Sequence, residues 1–193
     1  PTFCSSPELI QAIIAGGDGA LRKSSEGLED LDYLAIDDLN SHNFSKNDVL
    51  VGITAGGTTT YVNTALFYAN QIGARTIGIS CVPIEQAKLI CDVDIRLLTG
   101  PELLTGSTRL KAATATKMTL NMISTIVMVK LGKVYGNKMV DVAIKNNKLH
   151  DRALRILNDI ADVDRDEGEM LLKSSSGSVK LSLLMALGNI DLI

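Results

Sequence analysis

Between Gly100 and Lys111 the chain reads Gly-Pro-Glu-Leu-Leu-Thr-Gly-Ser-Thr-Arg-Leu-Lys, which brings the side chains of Glu102, Thr105, Ser107, Thr108, Arg109 and Lys111 into one short turn. Carboxylate, hydroxyl and cationic groups at that density suit a phosphorylated small molecule. The free N–H groups opening the next helix would face any anion held there. Taken alone, Ser or Thr before a helix more often means a cap on a polar surface. A second stretch, Thr54-Ala55-Gly56-Gly57-Thr58-Thr59-Thr60, also precedes a helical segment. It offers hydroxyls and backbone N–H groups as a phosphate cradle, or a simple cap by Thr58 or Thr59. It lacks the Lys-Ser/Thr ending of a P-loop and does not match Gly-x-Gly-x-x-Gly. The third candidate is Glu26, Glu29 and Asp30. A helix there would place Glu26 near both others, as a solvated face or as a general acid or base.

The elements that must position these groups follow from hydrophobic period. Val49-Leu50-Val51-Gly52-Ile53, Thr76-Ile77-Gly78-Ile79-Ser80 and Val93-Asp94-Ile95-Arg96-Leu97 are short apolar runs bounded by turn residues, and predict strands. The first reads as covered on both faces. Ala12-Ile13-Ile14-Ala15, ending at Gly16-Gly17, reads as another buried strand. Helices are expected over 7–11, 30–43, 61–72, 83–90, 112–131 and 149–160. A helical tail follows at 169–173 and 178–187, after an acidic, turn-like stretch at 162–168. Strands alternating with helices call for a parallel sheet with helices on both faces and right-handed crossovers. Ligands of such sheets bind beyond the carboxyl ends of the strands, where the stretches at 16–30, 54–60 and 99–111 would gather.

Totals exclude several classes. A chain of 193 residues with 46% hydrophobic and 21% charged residues can bury a core and is not of disordered composition. With 19 basic against 22 acidic residues and no basic block, no nucleic-acid surface is expected. The most apolar helical stretch, 118–131, is too short and too polar to span a membrane, so its methionines, Met118, Met122 and Met128, are expected in the core. Cys4, Cys81 and Cys91 form no Cys-x-x-Cys pair, so neither a disulfide framework nor a metal site is expected, and a reduced cytoplasm fits. His42 and His150 read as surface residues without evident partners. The chain opens at Pro1, without Met, inside what reads as a loop, so an upstream segment is expected.

Several runs together resemble one family. Pro1-Thr2-Phe3, Ile14-Ala15-Gly16-Gly17 through Glu26-Gly27-Leu28-Glu29-Asp30, Gly100-Pro101-Glu102 through Lys111, and Lys117 through Thr125 look like N-acetylmuramic acid 6-phosphate etherases. Gly132-Lys133-Val134-Tyr135 and Met139-Val140-Asp141-Val142 continue the likeness, which is weakest beyond about residue 160. The resemblance implies an α/β fold: a parallel-sheet, Rossmann-like αβα sandwich of the sugar-isomerase (SIS) type over 1–145, lacking its N-terminal part, then a small C-terminal helical region over 146–193. It further implies a cytoplasmic homodimer without cofactor or metal, acting on a sugar phosphate and on neither nucleic acid nor membrane.

The implied activity is cleavage of the D-lactyl ether of N-acetylmuramic acid 6-phosphate, giving N-acetylglucosamine 6-phosphate and D-lactate in cell-wall recycling. By family position Glu29 is the C2 base, while Gly56, Gly57, Thr58, Thr59, Glu102, Ser107, Thr108 and Lys111 bind substrate. The proton donor belongs to a run resembling Ala-Ser-Glu-Cys-Pro-Pro-Thr-Phe, whose Glu would stand three residues before Pro1, so the 193-residue chain alone is expected to be inactive. One departure lies inside the chain. The family reads Ala-Ser-Gly-Arg-Thr-Pro-Tyr where this sequence has Ala55-Gly56-Gly57-Thr58-Thr59-Thr60-Tyr61, losing a serine at Gly56 and an arginine at Thr58. That departure is the argument for the alternative, a non-catalytic sugar-phosphate-binding regulator resembling glucokinase regulatory protein. A phosphosugar isomerase ranks third.

Overall fold

A computed structural model describes residues 2–188. Pro1 of the family match and residues 189–193 of the C-terminal region lie outside the described residues. The chain divides into two compact units, Ala12–Asn121 and a second formed by Pro1–Gln11 with Met122–Ile193.

In the first unit, the four-residue helix α1 (Gly17–Ala20) and α2 (Asp32–Ser41) precede β1 (Val49–Ile53), α3 (Thr60–Gln71), β2 (Arg75–Ser80) and β3 (Val93–Arg96). The strands form a parallel sheet in the order β1-β2-β3, with Gly52 opposite Gly78 and Ser80 opposite Arg96. The α/β fold with a parallel sheet is therefore as expected. Helix α3 crosses between β1 and β2 and packs on both. Its approach is set by Gly52, where an added Cβ would lie 2.8 Å from Leu66 Cγ. Helix α2 stacks on α3 through Ala35, Leu39, Tyr61 and Ala65, flanked by Ile13, Ala15 and Leu50. Tyr61 Oη donates to Asp38 Oδ2 at 2.5 Å across that contact. Burial, together with the hydrogen bond and charge of Asp38, pushes the Tyr61 phenol well above its usual range.

Three expectations change here. Residues 12–15 form no strand: the segment is irregular, with Ile14 43% exposed, and it uses Ile13 and Ala15 to cover the α2–α3 core. An apolar run satisfies that role as well as it satisfies a sheet. The segment 83–90 makes a turn at Pro83 rather than a helix. Its carbonyls are drawn to long-range partners: Ala87 O accepts from Arg96, as does Val82 O just before the segment, and Ile90 O accepts from Asn70. Nor is β1 covered on both faces, since Val49 is 57% and Ile53 39% exposed on the side away from α3.

Helix α4 (Lys111–Lys130) begins in the first unit and ends in the second. Met128 is buried as expected, but Met118 and Met122 are exposed. Beyond it come the hairpin β4 (Val134–Tyr135) and β5 (Lys138–Met139), then α5 (Asn147–Ala161), α6 (Arg165–Ser174) and α7 (Val179–Gly188). Ala153, Leu154, Ile156 and Leu157 line one face of α5 and meet Leu172 of α6 with Val179 and Leu183 of α7. Asn146 Oδ1 caps α5 by accepting from Leu149 N, and Asp164 Oδ1 caps α6 by accepting from Glu167 N. The acidic stretch at 162–168 is thus a turn only as far as Asp164, because that aspartate starts a helix. Among the described residues no helix is long and apolar enough to cross a membrane.

Candidate functional site

Parallel pairing sends β1, β2 and β3 in one direction, so the segments after Ile53, Ser80 and Arg96 emerge along one edge. Backbone bonds stitch that edge together. Thr54 N donates to Ile79 O, Cys81 N to Ala55 O and Leu97 N to Ser80 O. The buried Cys81 thiol lies 3.8 Å from Ala112 O and 3.9 Å from Thr116 Oγ1, which brings the first turns of α4 to the same edge. All the expected site residues lie in the first unit.

The glycine-threonine segment is a tight turn. Gly57 N donates to Thr54 O and to Thr54 Oγ1, both at 3.2 Å, and Gly57 adopts φ +77°. A side chain is excluded there twice over: the φ is left-handed, and an added Cβ would meet Ala87 Cβ at 2.7 Å. The hydroxyls of Thr54 and Thr59 share a hydrogen bond of 2.9 Å, and Asn63 Nδ2 donates to Gly57 O at 3.3 Å. Thr59 Oγ1 is therefore turned inward, while Thr58 is exposed. Among the described residues no side chain caps the N-terminus of α3. The N–H groups of its first turn and its dipole are thus left to an external anion or to water.

The N-terminus of α4 is built in the opposite way. Glu102 Oε2 accepts from Lys111 N at 3.0 Å and Oε1 from Ala112 N at 2.9 Å. These two donors, with the Lys111 charge, hold the Glu102 carboxyl below its usual range. Lys111 Nζ donates to Thr99 O at 2.8 Å. Ser107 and Thr108 sit within the turn: Ser107 N donates to Leu104 O, and Thr108 O accepts from Ala113 N. The carboxylate and ammonium that made this stretch look like a ligand loop are both engaged in closing it.

Glu29 is exposed on the 3₁₀ turn Leu28–Asp30, which packs against α3. Gly27 precedes it at φ +86°, so Glu26 lies across a turn from Glu29 and Asp30 instead of on a shared helix face. The shared face that a helix would have given these three carboxylates does not form. His42 and His150 do have partners: His42 Nδ1 is 2.9 Å from Asp38 O, and His150 Nε2 is 3.3 Å from Glu169 Oε2. Sequence reasoning missed Asn63 and Arg96, which with Thr54 shape the turn before α3. Their only signal was position, at a strand end and one helical turn into α3.

Comparison with known proteins agrees with this architecture. Residues 4–70 match the family described as the glucokinase regulatory protein N-terminal SIS domain, and residues 136–190 match the C-terminal lid domain of glucokinase regulatory protein. A relative from Prochlorococcus marinus (strain MIT 9303), named N-acetylmuramic acid 6-phosphate etherase, is 65% identical over 191 residues, covering 99% of this chain and 60% of its own. Relatives of the same name from Synechococcus sp. (strain CC9902) and Trichodesmium erythraeum (strain IMS101) are 65% and 63% identical, over 99% and 98% of this chain and 60% and 62% of theirs. The chain therefore spans about 60% of the length of the curated relatives it matches. Along nearly its whole length the chain is similar to proteins named N-acetylmuramic acid 6-phosphate etherase, and it has an SIS-type α/β fold.

Proposed function

We propose that the full-length protein cleaves the D-lactyl ether of N-acetylmuramic acid 6-phosphate, with the substrate phosphate at the head of α3 and Glu29 as the base at C2. The observation that carries this reading is the uncapped start of α3, closed behind by the Gly57 turn, with the Glu29 turn packed against the same helix. A phosphate there meets aligned N–H groups, and Thr58 adds an exposed hydroxyl. Backbone donors and a helix dipole thus take the place of the arginine that the family reads at Thr58. Gly56 and Gly57 keep the backbone thin on that side. Ser107 and Thr108 border the site from the turn before α4, while Glu102 and Lys111 hold that turn in shape.

The reaction is an elimination followed by hydration. In the open-chain sugar the C1 aldehyde acidifies the C2 proton, and Glu29 takes it. The C3–O bond then breaks, an acid protonates the departing lactate oxygen, and a C2–C3 double bond remains. Water adds its hydroxyl to C3, a proton returns to C2, and N-acetylglucosamine 6-phosphate and D-lactate are the products. The family also suggests a cytoplasmic homodimer.

Purified full-length protein supplied with N-acetylmuramic acid 6-phosphate should release D-lactate, read through a coupled D-lactate dehydrogenase. A well-folded protein that binds the sugar phosphate and releases none would instead support the regulator reading, for which the altered 54–60 stretch is the argument.

A further inference from the structure

We propose that Arg96 is a positioning residue for the turn before α3, acting through Val82 and Ala87 without touching the ligand. This rests on the reading of that turn as the phosphate seat. Residues in parallel register share a face, so Ser80 and Arg96 point to the same side of the sheet ends, which is also the side of Asp94 two residues earlier. Arg96 forks onto Asp94, with Nε to Oδ1 and Nη2 to Oδ2 both at 2.6 Å. The Arg96 and Asp94 side chains are 14% and 22% exposed. That pairing fixes the guanidinium plane and aims Nη1 at two carbonyls, Ala87 O at 2.6 Å and Val82 O at 3.2 Å.

Those carbonyls belong to the residues that back Gly57. An added Cβ at Gly57 would meet Ala87 Cβ at 2.7 Å, Val82 Cγ2 at 3.5 Å and Ala87 O at 3.6 Å. The segment between them has no strand or helix of its own, only the turn bonds from Gln86 N and Ala87 N to Pro83 O. Arg96 is therefore the link from the rigid sheet to the wall behind the Gly57 turn. With the wall released, Gly57 can relax its left-handed turn, and the N–H groups ahead of α3 lose their common aim. Lysine keeps the charge but cannot hold a carboxylate and two carbonyls from one planar fork.

The test uses the full-length protein with Arg96→Gln, Arg96→Lys and Asp94→Asn, measuring kcat and KM for N-acetylmuramic acid 6-phosphate. Inhibition by inorganic phosphate, direct phosphate binding by calorimetry and thermal unfolding complete the set. Arg96→Gln is expected to raise KM and the phosphate inhibition constant together by about tenfold, with kcat within about twofold, and Arg96→Lys to give about threefold, because a misplaced anion seat weakens binding before it alters the proton transfer. Asp94→Asn should fall between wild type and Arg96→Gln. A lower melting temperature with KM and phosphate affinity unchanged would overturn the proposal, as would a loss confined to kcat. Should Arg96→Gln fail to fold, Arg96→Lys decides by the same two constants. If the wild type binds phosphate but releases no lactate, the etherase reading falls, and Arg96 is judged on phosphate binding alone. If the wild type binds no phosphate, both fall.

Discussion

The N-termini of α3 and α4 lie along one edge of the sheet and meet the need for an anion in opposite ways. Helix α4 carries its own, the Glu102 carboxylate on Lys111 N and Ala112 N. Helix α3 carries none among the described residues, and its preceding turn is closed by backbone and threonine contacts that supply no side-chain cap to its first N–H groups. Composition alone ranks them the other way, because the richer set of charged and hydroxyl side chains precedes α4. A turn whose charges are spent on its own backbone is scaffold, whereas one whose donors are left over can take a ligand.

Four substitutions in the full-length protein break or sharpen that contrast. Glu29→Gln, which removes the proposed base from the turn against α3, should lower lactate release by about 10³-fold with little change in KM, the scale expected for a lost general base. Gly57→Val should raise KM at least about tenfold and lower the melting temperature, since it places a branched side chain at a left-handed φ that costs about 1–3 kcal/mol and against Ala87. Asn63→Ala removes the 3.3 Å bond to Gly57 O. A single neutral hydrogen bond is worth about 1 kcal/mol, so KM should rise about threefold to fivefold.

Glu102→Ala should have the smallest effect on KM and a visible one on stability. The folded carboxyl ionises below its usual range because Ala112 N and Lys111 N favour the charged form. Its contribution is therefore complete above the unfolded value of about 4.3 and is lost as pH falls through the lower folded value. Thermal unfolding should show the gap between wild type and Glu102→Ala at neutral pH and its closure in acid. A large rise in KM for Glu102→Ala alone would instead return the turn before α4 to the ligand.

The regular part of this structure was legible in the sequence. The strand runs at 49–53, 76–80 and 93–97 and the helices at 30–43, 61–72 and 112–131 match β1–β3 and α2–α4 to within about two residues at each end, because hydrophobic period reports those elements directly. What failed depended on distant partners. The 83–90 stretch looks helical locally, yet Arg96 and Asn70 claim its carbonyls from elsewhere. The 12–15 run looks like a strand, yet its apolar side chains are taken up by α2 and α3. Of the candidate site, the glycine-threonine turn could be named from type and order, whereas Glu29 stood out from Glu26 and Asp30 only through the family resemblance. That Glu102 is consumed as a cap could not, since nothing in the spacing of residues 102 and 111 says that the chain folds back to join them.

The reaction course tests the central claim most directly. If the full-length protein runs in deuterium oxide, elimination and hydration at a site served by Glu29 require the N-acetylglucosamine 6-phosphate product to carry one deuterium at C2, and Glu29→Gln should lose both the product and any exchange at C2 of the substrate. Product that keeps its original C2 hydrogen, or a Glu29→Gln variant that labels C2 as fast as wild type, would contradict the account.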